Sequence, residues 1–348
     1  MSRNAFPVVF DGHNDVLLRL GEPDGGGPDA FFERHDEGHL DLPRAREGGF
    51  GGGFFAVWIP SPKERAGERA PNGLPPALDA AYAMRRSMAA VATLFKIEDR
   101  SDRKFRIVRS VSELRRCLDD EVMPAVLHLE GADAIDKDLD ALHVLYRAGL
   151  RSLGLVWGRP NAFAEGVAVH YRRSPDTGPG LTEAGRELVR ACNDLRIMID
   201  VSHLNERGFW DVAKLTNAPL VATHSNAYAL CPSSRNLTDP QLDAIAASDG
   251  MVGLNFAVNF LREDAHRDAN TPLDVMVRHL DYLVERVGID RVGFGSDFDG
   301  VLISREIGDV TGLPKLLCAL RNHGYDDPML ARLAHENWLR VLRKTWGA

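Results

Sequence analysis

The sequence predicts a parallel α/β fold, and most simply a closed (β/α)8 barrel, from two observations. First, eight short apolar runs rich in β-branched residues recur along the 348 residues. Their near-continuous apolar character is typical of parallel strands that are covered on both faces. Second, stretches with the helical spacing of apolar residues lie between most of these runs. Eight alternations of strand and helix favour a TIM-like barrel over the alternative, an open doubly wound sheet.

The predicted strands share one further property, because each ends in a cluster of Gly, Asp, His or Ser. In a barrel these ends meet at the face where active sites are built. The strands are predicted at residues 7–15, 53–59, 123–131, 150–157, 196–203, 219–225, 250–256 and 291–299.

The predicted helices lie between these strands and after the last one. Ser112 is a candidate N-cap of the second helix, and Thr182 is a candidate N-cap of the fourth. Residues 21–53 are rich in Gly, Pro and charge without periodicity, which predicts a long ordered loop after the first strand. We therefore expect one barrel domain over residues 1–348, with long βα loops and C-terminal helices. The helices are predicted at residues 74–97, 111–119, 139–147, 182–195, 205–215, 239–247, 272–287, 313–322 and 328–345.

Charge and composition exclude several classes of partner. Lys and Arg number 42 against 50 Asp and Glu, a net charge of −8, so no global positive field attracts nucleic acid or an anionic membrane. No apolar stretch approaches the roughly 20 residues of a membrane helix, and the first residues lack the apolar core of a signal peptide. The 4 cysteines are scattered without a metal-binding or disulfide spacing. We expect a cytoplasmic protein with reduced thiols and with no nucleic-acid or membrane partner.

Polar residues concentrate at the carboxyl ends of five predicted strands. His13 and Asp15 are two residues apart, so both side chains point the same way in an extended strand. Imidazole and carboxylate ligands together suit a divalent ion such as Zn²⁺. The polar strand-end residues are His13, Asp15, Glu130, His203, His224 and Asp297.

Each of these residues also has a reading without a metal. The pair His13 and Asp15 can be a fortuitous turn, and Glu130 can pair with an arginine. His203 and His224 can be hydrogen-bonded core histidines. Asp297 can cap a helix, although a carboxylate at that position can also serve as a general acid/base. The convergence of all six residues on one face favours the metal site.

Several long sequence blocks carry a resemblance to a known family. The blocks FDGHNDVLLRL, LHLEGADAI, IDVSHLNERGFWDV, ATHSNAYALCPSSRNLTDPQL and VGFGSDFDGV resemble those of the renal (membrane) dipeptidase family, within the amidohydrolase superfamily. The resemblance runs in the correct order over nearly the whole chain. It implies a (β/α)8 barrel that holds two Zn²⁺ ions, which agrees with the strand count.

The resemblance also implies a role for each strand-end residue. It implies that His13 and Asp15 bind one ion, that Glu130 bridges both, and that His203 and His224 bind the second. A hydroxide activated by the two ions would attack the peptide carbonyl, with Asp297 as general acid/base. Arg235 would receive the C-terminal carboxylate of the substrate through its planar guanidinium.

The chain departs from the family pattern after the fourth barrel strand. Where mammalian members have a histidine thought to contact the substrate, this sequence has Trp157, with Asn161 nearby as a polar substitute. An indole N–H donates a hydrogen bond but does not become charged. We therefore expect Trp157 and Asn161 to contribute to substrate binding in a different way.

The predicted function is that of a dinuclear zinc dipeptidase. Its substrate would be a small dipeptide with a free C-terminal carboxylate, and the resemblance implies tolerance of a D residue at that position. Two alternatives are another amidohydrolase activity on the same metals, on N-acyl amino acids or lactams, and a non-catalytic binding protein. The full set of ligands together with Asp297 argues against the binding protein. The family often forms dimers, so a homodimer is compatible with the resemblance.

Overall fold

Parallel strands form one continuous sheet in the computed structural model, which describes residues 6–70 and 72–347. The sheet order is β1-β2-β4-β5-β6-β7-β8-β9, so strands follow one another in chain order, and the short β3 pairs only with β4. The strands are β1 (Val9–Asn14), β2 (Phe50–Val57), β3 (Phe105–Ile107), β4 (Met123–Glu130), β5 (Leu150–Gly154), β6 (Met198–Asp200), β7 (Val221–Ala222), β8 (Met251–Leu254) and β9 (Val292–Phe294).

The first and last strands meet and close the sheet. The backbone N–H of Asp297 donates to the carbonyl of His13 at 2.9 Å, and that of Asp15 donates to the carbonyl of Phe298 at 2.7 Å. Asn14 forms a parallel bridge with Phe298 just beyond β9. The arrangement confirms the predicted (β/α)8 barrel, and the open sheet is excluded.

Helices cover the outside of the barrel. A π-helical turn at Arg332–Glu336 joins the last two of them. The helices are α1 (Val16–Gly21), α2 (Leu42–Gly48), α3 (Ala80–Arg100), α4 (Val111–Asp119), α5 (Asp140–Ala148), α6 (Glu183–Leu195), α7 (Glu206–Leu215), α8 (Asp239–Ala247), α9 (Val258–Leu261), α10 (Leu273–Val287), α11 (Leu313–His323), α12 (Asp327–Ala331) and α13 (Asn337–Trp346).

Helix α13 fills one end of the barrel. A second apolar cluster, separate from the main one, draws one residue from each of six strands that surround the barrel axis, together with Trp338 of α13. The indole N–H of Trp338 donates to the carbonyl of Phe294 at 3.1 Å. A Cβ atom at Gly12 would lie 2.5 Å from this indole, so glycine is required there. Since α13 occupies this end, solvent reaches the barrel interior from the opposite end, where the carboxyl ends of the strands lie.

Some local expectations are wrong. Residues 21–53 are not one loop, because they contain α2 and a 3-10 helix at Gly27–Phe32. The cap of α4 is Ser110, whose side chain accepts from the N–H of Glu113, rather than Ser112. Thr182 does cap α6, as expected. Over the described residues, no helix combines the length and apolar character that a membrane crossing needs.

Candidate metal centre and active site

Six polar side chains come together at the carboxyl ends of the barrel strands. Two of them, His203 and Asp297, have left-handed backbone conformations with φ of 67° and 61°. This conformation is uncommon outside glycine and costs free energy, and residues that keep it cluster at functional sites. The six side chains are those predicted from the sequence: His13, Asp15, Glu130, His203, His224 and Asp297.

Glu130 and two imidazoles form the first group of potential metal ligands. Glu130 Oε1 lies 3.0 Å from His203 Nε2 and 3.4 Å from His224 Nε2. The two Nε2 atoms are 3.0 Å apart. Two imidazole nitrogens and one carboxylate oxygen at such separations can ligate a single divalent ion.

Glu130 also belongs to a second group, together with His13 and Asp15. His13 Nε2 lies 3.5 Å from Asp15 Oδ2 and 3.7 Å from Glu130 Oε1. Potential ligand atoms of these three residues all lie within 4.8 Å of one another, as do those of His13, His224 and Asp297. The carboxylate of Glu130 therefore lies between two groups of ligands.

Burial and mutual charge strongly shift the pKa values of these groups. Burial raises the pKa of Glu130 well above its usual value; the charge of His13 opposes the increase, and that of Asp15 adds to it. Burial disfavours charge on His13, but Glu130 and Asp15 outweigh it and raise its pKa to about 10. Burial lowers the pKa values of His203 and His224 well below the usual value. The neutral imidazoles of His203 and His224 lie beside carboxylates that need positive charge, so together they are suited to bind a cation.

Buried polar atoms in this cluster also fit a metal ion. Within the described part of the chain, both ring nitrogens of His13 and Oδ1 of Asp15 are buried without a hydrogen-bond partner. Most buried polar atoms in proteins have one. A divalent ion bound here would take these nitrogen and oxygen atoms as ligands, and both are ligand types that Zn²⁺ accepts.

Asp297 differs from the other carboxylates in having a neutral side chain as its partner. Asn255, which follows β8, donates from Nδ2 to Oδ2 of Asp297 at 2.7 Å. Burial raises the pKa of Asp297 to about 6. A carboxyl group with a pKa near neutrality can both accept and return a proton.

Arg235 is buried beside the same cluster. Its Nη1 donates to Ser225 Oγ and its Nη2 donates to the carbonyl of His224, both at 2.8 Å. Its Nε is buried and has no hydrogen-bond partner among the described residues. The guanidinium carbon lies 5.8 Å from the ring centroid of Phe260, which lines the cavity at the barrel mouth.

A cavity of about 420 Å³ opens above the cluster. Asp15, Glu130, His203 and Asp297 contribute to it, and most of the remaining lining is apolar. Trp157 lines it next to Trp58, and the two rings pack edge to face with centroids 5.0 Å apart. Trp157 therefore lies at the cavity, and its role in substrate binding stays a prediction.

Asn161 makes its side-chain hydrogen bonds within the loop after β5. Its Nδ2 donates to the carbonyl of Leu155 at 2.8 Å, and its Oδ1 accepts from the N–H groups of Phe163 and Ala164 at 2.9 and 3.2 Å. These bonds shape the loop after β5 and use the amide that substrate binding would need. Asn161 is not among the residues that line the cavity.

Sequence reasoning missed the polar residues that support the cluster. Asp200 ends β6, Thr223 follows β7 and Asn255 follows β8, and all three are buried. The signal available for these three residues was a polar residue at the end of an apolar strand, which is the same signal that indicated Glu130. Their partners lie on neighbouring strands, so sequence spacing alone does not pair them.

The fold and this cluster together define a class of protein. A (β/α)8 barrel with histidines and carboxylates clustered at the carboxyl ends of its strands has the architecture of a metal-dependent barrel enzyme. The family model of the membrane dipeptidases, peptidase family M19, matches residues 4–346. The chain belongs to this family, and it is a peptidase hydrolase with a site capable of binding metal.

Two solved structures are similar over almost the whole chain. A metallopeptidase from Rhodobacter sphaeroides, crystallised with a phosphinate mimic of the dipeptide L-Ala-D-Ala, is 51% identical with a TM-score of 0.93, covering 98% of this chain and 100% of that one. A second metallopeptidase, dipeptidase AC of family M19, is 52% identical with a TM-score of 0.94, covering 98% and 99%. A protein encoded in the pqqA 5′ region of Klebsiella pneumoniae is 49% identical over 256 residues, which are 74% of this chain and 94% of the relative.

Proposed function

We propose that the protein is a dinuclear zinc dipeptidase that hydrolyses dipeptides with a free C-terminal carboxylate and accepts a D residue at that position. The observation that carries the proposal is the position of Glu130 between two groups of ligands at a cavity of about 420 Å³. His13 and Asp15 would hold one ion with Glu130, and His203 and His224 would hold the other.

The ions and the protein contribute different parts of the chemistry. When bound, two divalent ions supply Lewis-acid polarisation of the scissile carbonyl and activation of a water at neutral pH. Glu130, with its raised pKa, needs this positive charge in order to stay ionised in a buried position. The imidazoles of His203 and His224, whose pKa values are lowered by burial, remain neutral and present their nitrogen lone pairs.

Asp297 would move the proton. As the water oxygen bonds to the carbonyl carbon, Asp297 accepts the proton that the water loses. As the bond from carbon to nitrogen breaks, the same carboxyl donates the proton to the departing amine. Asn255 holds Oδ2 from one side and so fixes the orientation of the carboxylate.

Arg235 would orient the substrate. Its unpaired, buried Nε is a charge-assisted donor beside the cavity, suited to a carboxylate. Trp58 and Trp157 follow β2 and β5, whereas Arg235 follows β7, so the indoles and the guanidinium lie on different sides of the barrel mouth. A dipeptide with its carboxylate at Arg235 therefore extends its N-terminal residue towards the aromatic wall. The L-Ala-D-Ala mimic bound by the Rhodobacter sphaeroides relative supports acceptance of a C-terminal D residue.

A substrate panel tests this proposal. The panel contains L-Ala-D-Ala, L-Ala-L-Ala, D-Ala-L-Ala, the amide of L-Ala-D-Ala, and N-acetyl-D-alanine, each assayed by amine release. We expect hydrolysis of the first two, loss of activity with a chelator and recovery with Zn²⁺. The amide should be a poor substrate because it lacks the carboxylate that Arg235 would bind. Hydrolysis that persists after metal removal, or a preference for N-acetyl-D-alanine over every dipeptide, would overturn the proposal.

A further inference from the structure

A buried polar network lies beside the proposed metal ligands and takes no part in the proton transfer described above. Its centre is Asp200, the last residue of β6, which is 1% exposed. Thr223, which precedes His224, is fully buried. The carboxylate of Asp200 and the hydroxyl of Thr223 are both out of reach of solvent, so their hydrogen bonds are made within the protein.

Asp200 connects two strand ends that carry ligands. Its Oδ1 accepts from the backbone N–H of Ser202 and from that of Thr223, each at 2.9 Å. Ser202 directly precedes His203, and Thr223 directly precedes His224. One carboxylate therefore binds the backbone next to both imidazoles, whose Nε2 atoms lie 3.0 Å apart.

The other oxygen of Asp200, Oδ2, determines the direction of a hydrogen-bond relay that runs from Asp200 through Thr223 to His224. Thr223 Oγ1 lies 2.5 Å from Asp200 Oδ2 and 2.8 Å from His224 Nδ1. A carboxylate only accepts, so the single hydroxyl proton points to Asp200. The hydroxyl oxygen is then an acceptor towards His224, whose Nδ1 must carry the ring proton. In this tautomer the lone pair is on Nε2, the atom that faces His203 and Glu130.

We propose that Asp200 is a positioning residue that acts through the Thr223 hydroxyl to hold His224 as the tautomer with its lone pair on Nε2. This inference rests on the proposed function and adds to it, because only that tautomer can ligate an ion between His203 and Glu130. A carboxylate that orients a ligating histidine is a recurrent device in metal sites. In this protein a threonine hydroxyl stands between the two groups.

Substitutions at Thr223 separate the relay from the backbone contacts. Thr223→Val removes the hydroxyl but retains a branched side chain and the backbone N–H that binds Asp200. We expect it to weaken the affinity for one of the two zinc equivalents about 10-fold to 100-fold. Thr223→Ser restores a hydroxyl, so it should recover most of that affinity. Thr216→Val removes a hydroxyl at the distant end of α7 and serves as the control.

Asp200→Asn tests the direction of the relay. The amide oxygen can still accept from Ser202 and Thr223, but the amide nitrogen now donates to the hydroxyl. The hydroxyl proton then turns to His224 Nδ1, which selects the tautomer protonated on Nε2. We expect a larger loss of zinc affinity than in Thr223→Val, with the melting temperature of the metal-free protein nearly unchanged.

Two measurements on the full chain test the inference. Zinc affinity is measured by competition with a chromogenic chelator, and the tautomer of His224 is read from imidazole ¹⁵N shifts of the metal-free protein, assigned with His224→Gln. The inference requires a proton on Nδ1 in the wild type and on Nε2 in Asp200→Asn. If the wild type binds zinc but Thr223→Val binds equally well, or if His224 carries its proton on Nε2, the inference is wrong. A wild type that binds no zinc refutes the proposed function instead, and the tautomer measurement still tests the relay.

Discussion

Asp297 is the residue on which the proposed proton transfer depends. Replacing it with Asn retains the shape of the side chain and its bond to Asn255, but removes the group that accepts and returns a proton. We expect Asp297→Asn to lower kcat by about 100-fold to 10,000-fold, the usual contribution of a general acid/base. Metal content should stay close to that of the wild type. Kinetic assays and elemental analysis of the same preparation measure both quantities.

Asp299 provides the matched control. It lies two residues further along the chain, and its Oδ1 accepts from the N–H of His39 at 2.5 Å. Its Oδ2 lies 3.5 Å from Arg19 Nε. It therefore holds loops together, so Asp299→Asn should keep kcat within a few-fold of the wild type. Equal activity in Asp297→Asn and the wild type would assign the proton transfer to another group.

At this scale the sequence indicates the groups that lie at strand ends, but not their hydrogen-bond partners. Glu130 is recognisable because it ends an apolar strand, and the structure places it among three histidines. The role of Asp200 depends on pairing between β6 and β7, which spacing along the chain does not show. Asn161 makes its hydrogen bonds within the turn after β5, an ordinary role of Asn in loops, and its part in substrate binding stays a prediction.

Helix α10 carries a buried titratable group that makes stability depend on pH. His279 Nε2 donates to the carbonyl of Leu261 at 2.9 Å, and its Nδ1 accepts from the N–H of Ala227 at 3.3 Å. The imidazole is thus neutral in the folded protein. Burial lowers its pKa from 6.5 to about 4.

The depressed pKa of His279 determines the sign of this effect. In the unfolded chain His279 takes up a proton once the pH falls below the ordinary pKa of 6.5, whereas in the folded protein it does so only near pH 4. Between these two values protonation favours the unfolded chain, so the stability of the protein falls as the pH decreases. We expect His279 to account for a loss of about 2 kcal/mol in the free energy of unfolding between about pH 7 and pH 5. Denaturant unfolding at both pH values measures it. His279→Gln should lack this part of the pH dependence.

An exposed histidine is the control for His279. His143 lies on the exposed face of α5, and His143→Gln should leave the pH dependence as it is in the wild type. If His279→Gln and the wild type lose stability equally between the two pH values, then another group causes the loss.

Some helices with clear periodicity are predicted well from this sequence. The bounds of α4 and α8 coincide with the predicted ranges, 111–119 and 239–247. Helix α2 was missed because it is short, although Asp41 caps it and Gly49 ends it with a positive φ. These two residues were visible signals. The three-residue strand β3 is too short to show a periodicity, and it exists because it pairs with β4.

The barrel as a whole could be predicted because its eight strands repeat one pattern. Closure between β1 and β9 was inferred from the strand count alone, because the backbone bonds near His13 and Asp297 that join the first and last strands are not visible in the sequence. The same closure brings these two residues into one cluster with His224. The site is therefore complete only when the barrel is closed.

The overall charge also depends on the site. The formal net charge of −8 counts Asp15, Glu130 and Asp297, which are buried together at the barrel mouth. Two divalent ions would offset these carboxylates, so the metal-loaded protein should be less negative than its formal charge. Neutralisation by metal would also stabilise the closed barrel, because a bound ion favours the folded state.

The metal content of the purified protein tests the central claim most directly. Protein purified without a chelator is analysed for divalent metals by elemental analysis, with its concentration determined by amino-acid analysis. We expect about two zinc ions per chain, as in dinuclear hydrolase sites. The absence of any bound transition metal from protein that hydrolyses L-Ala-D-Ala at full rate would contradict the account.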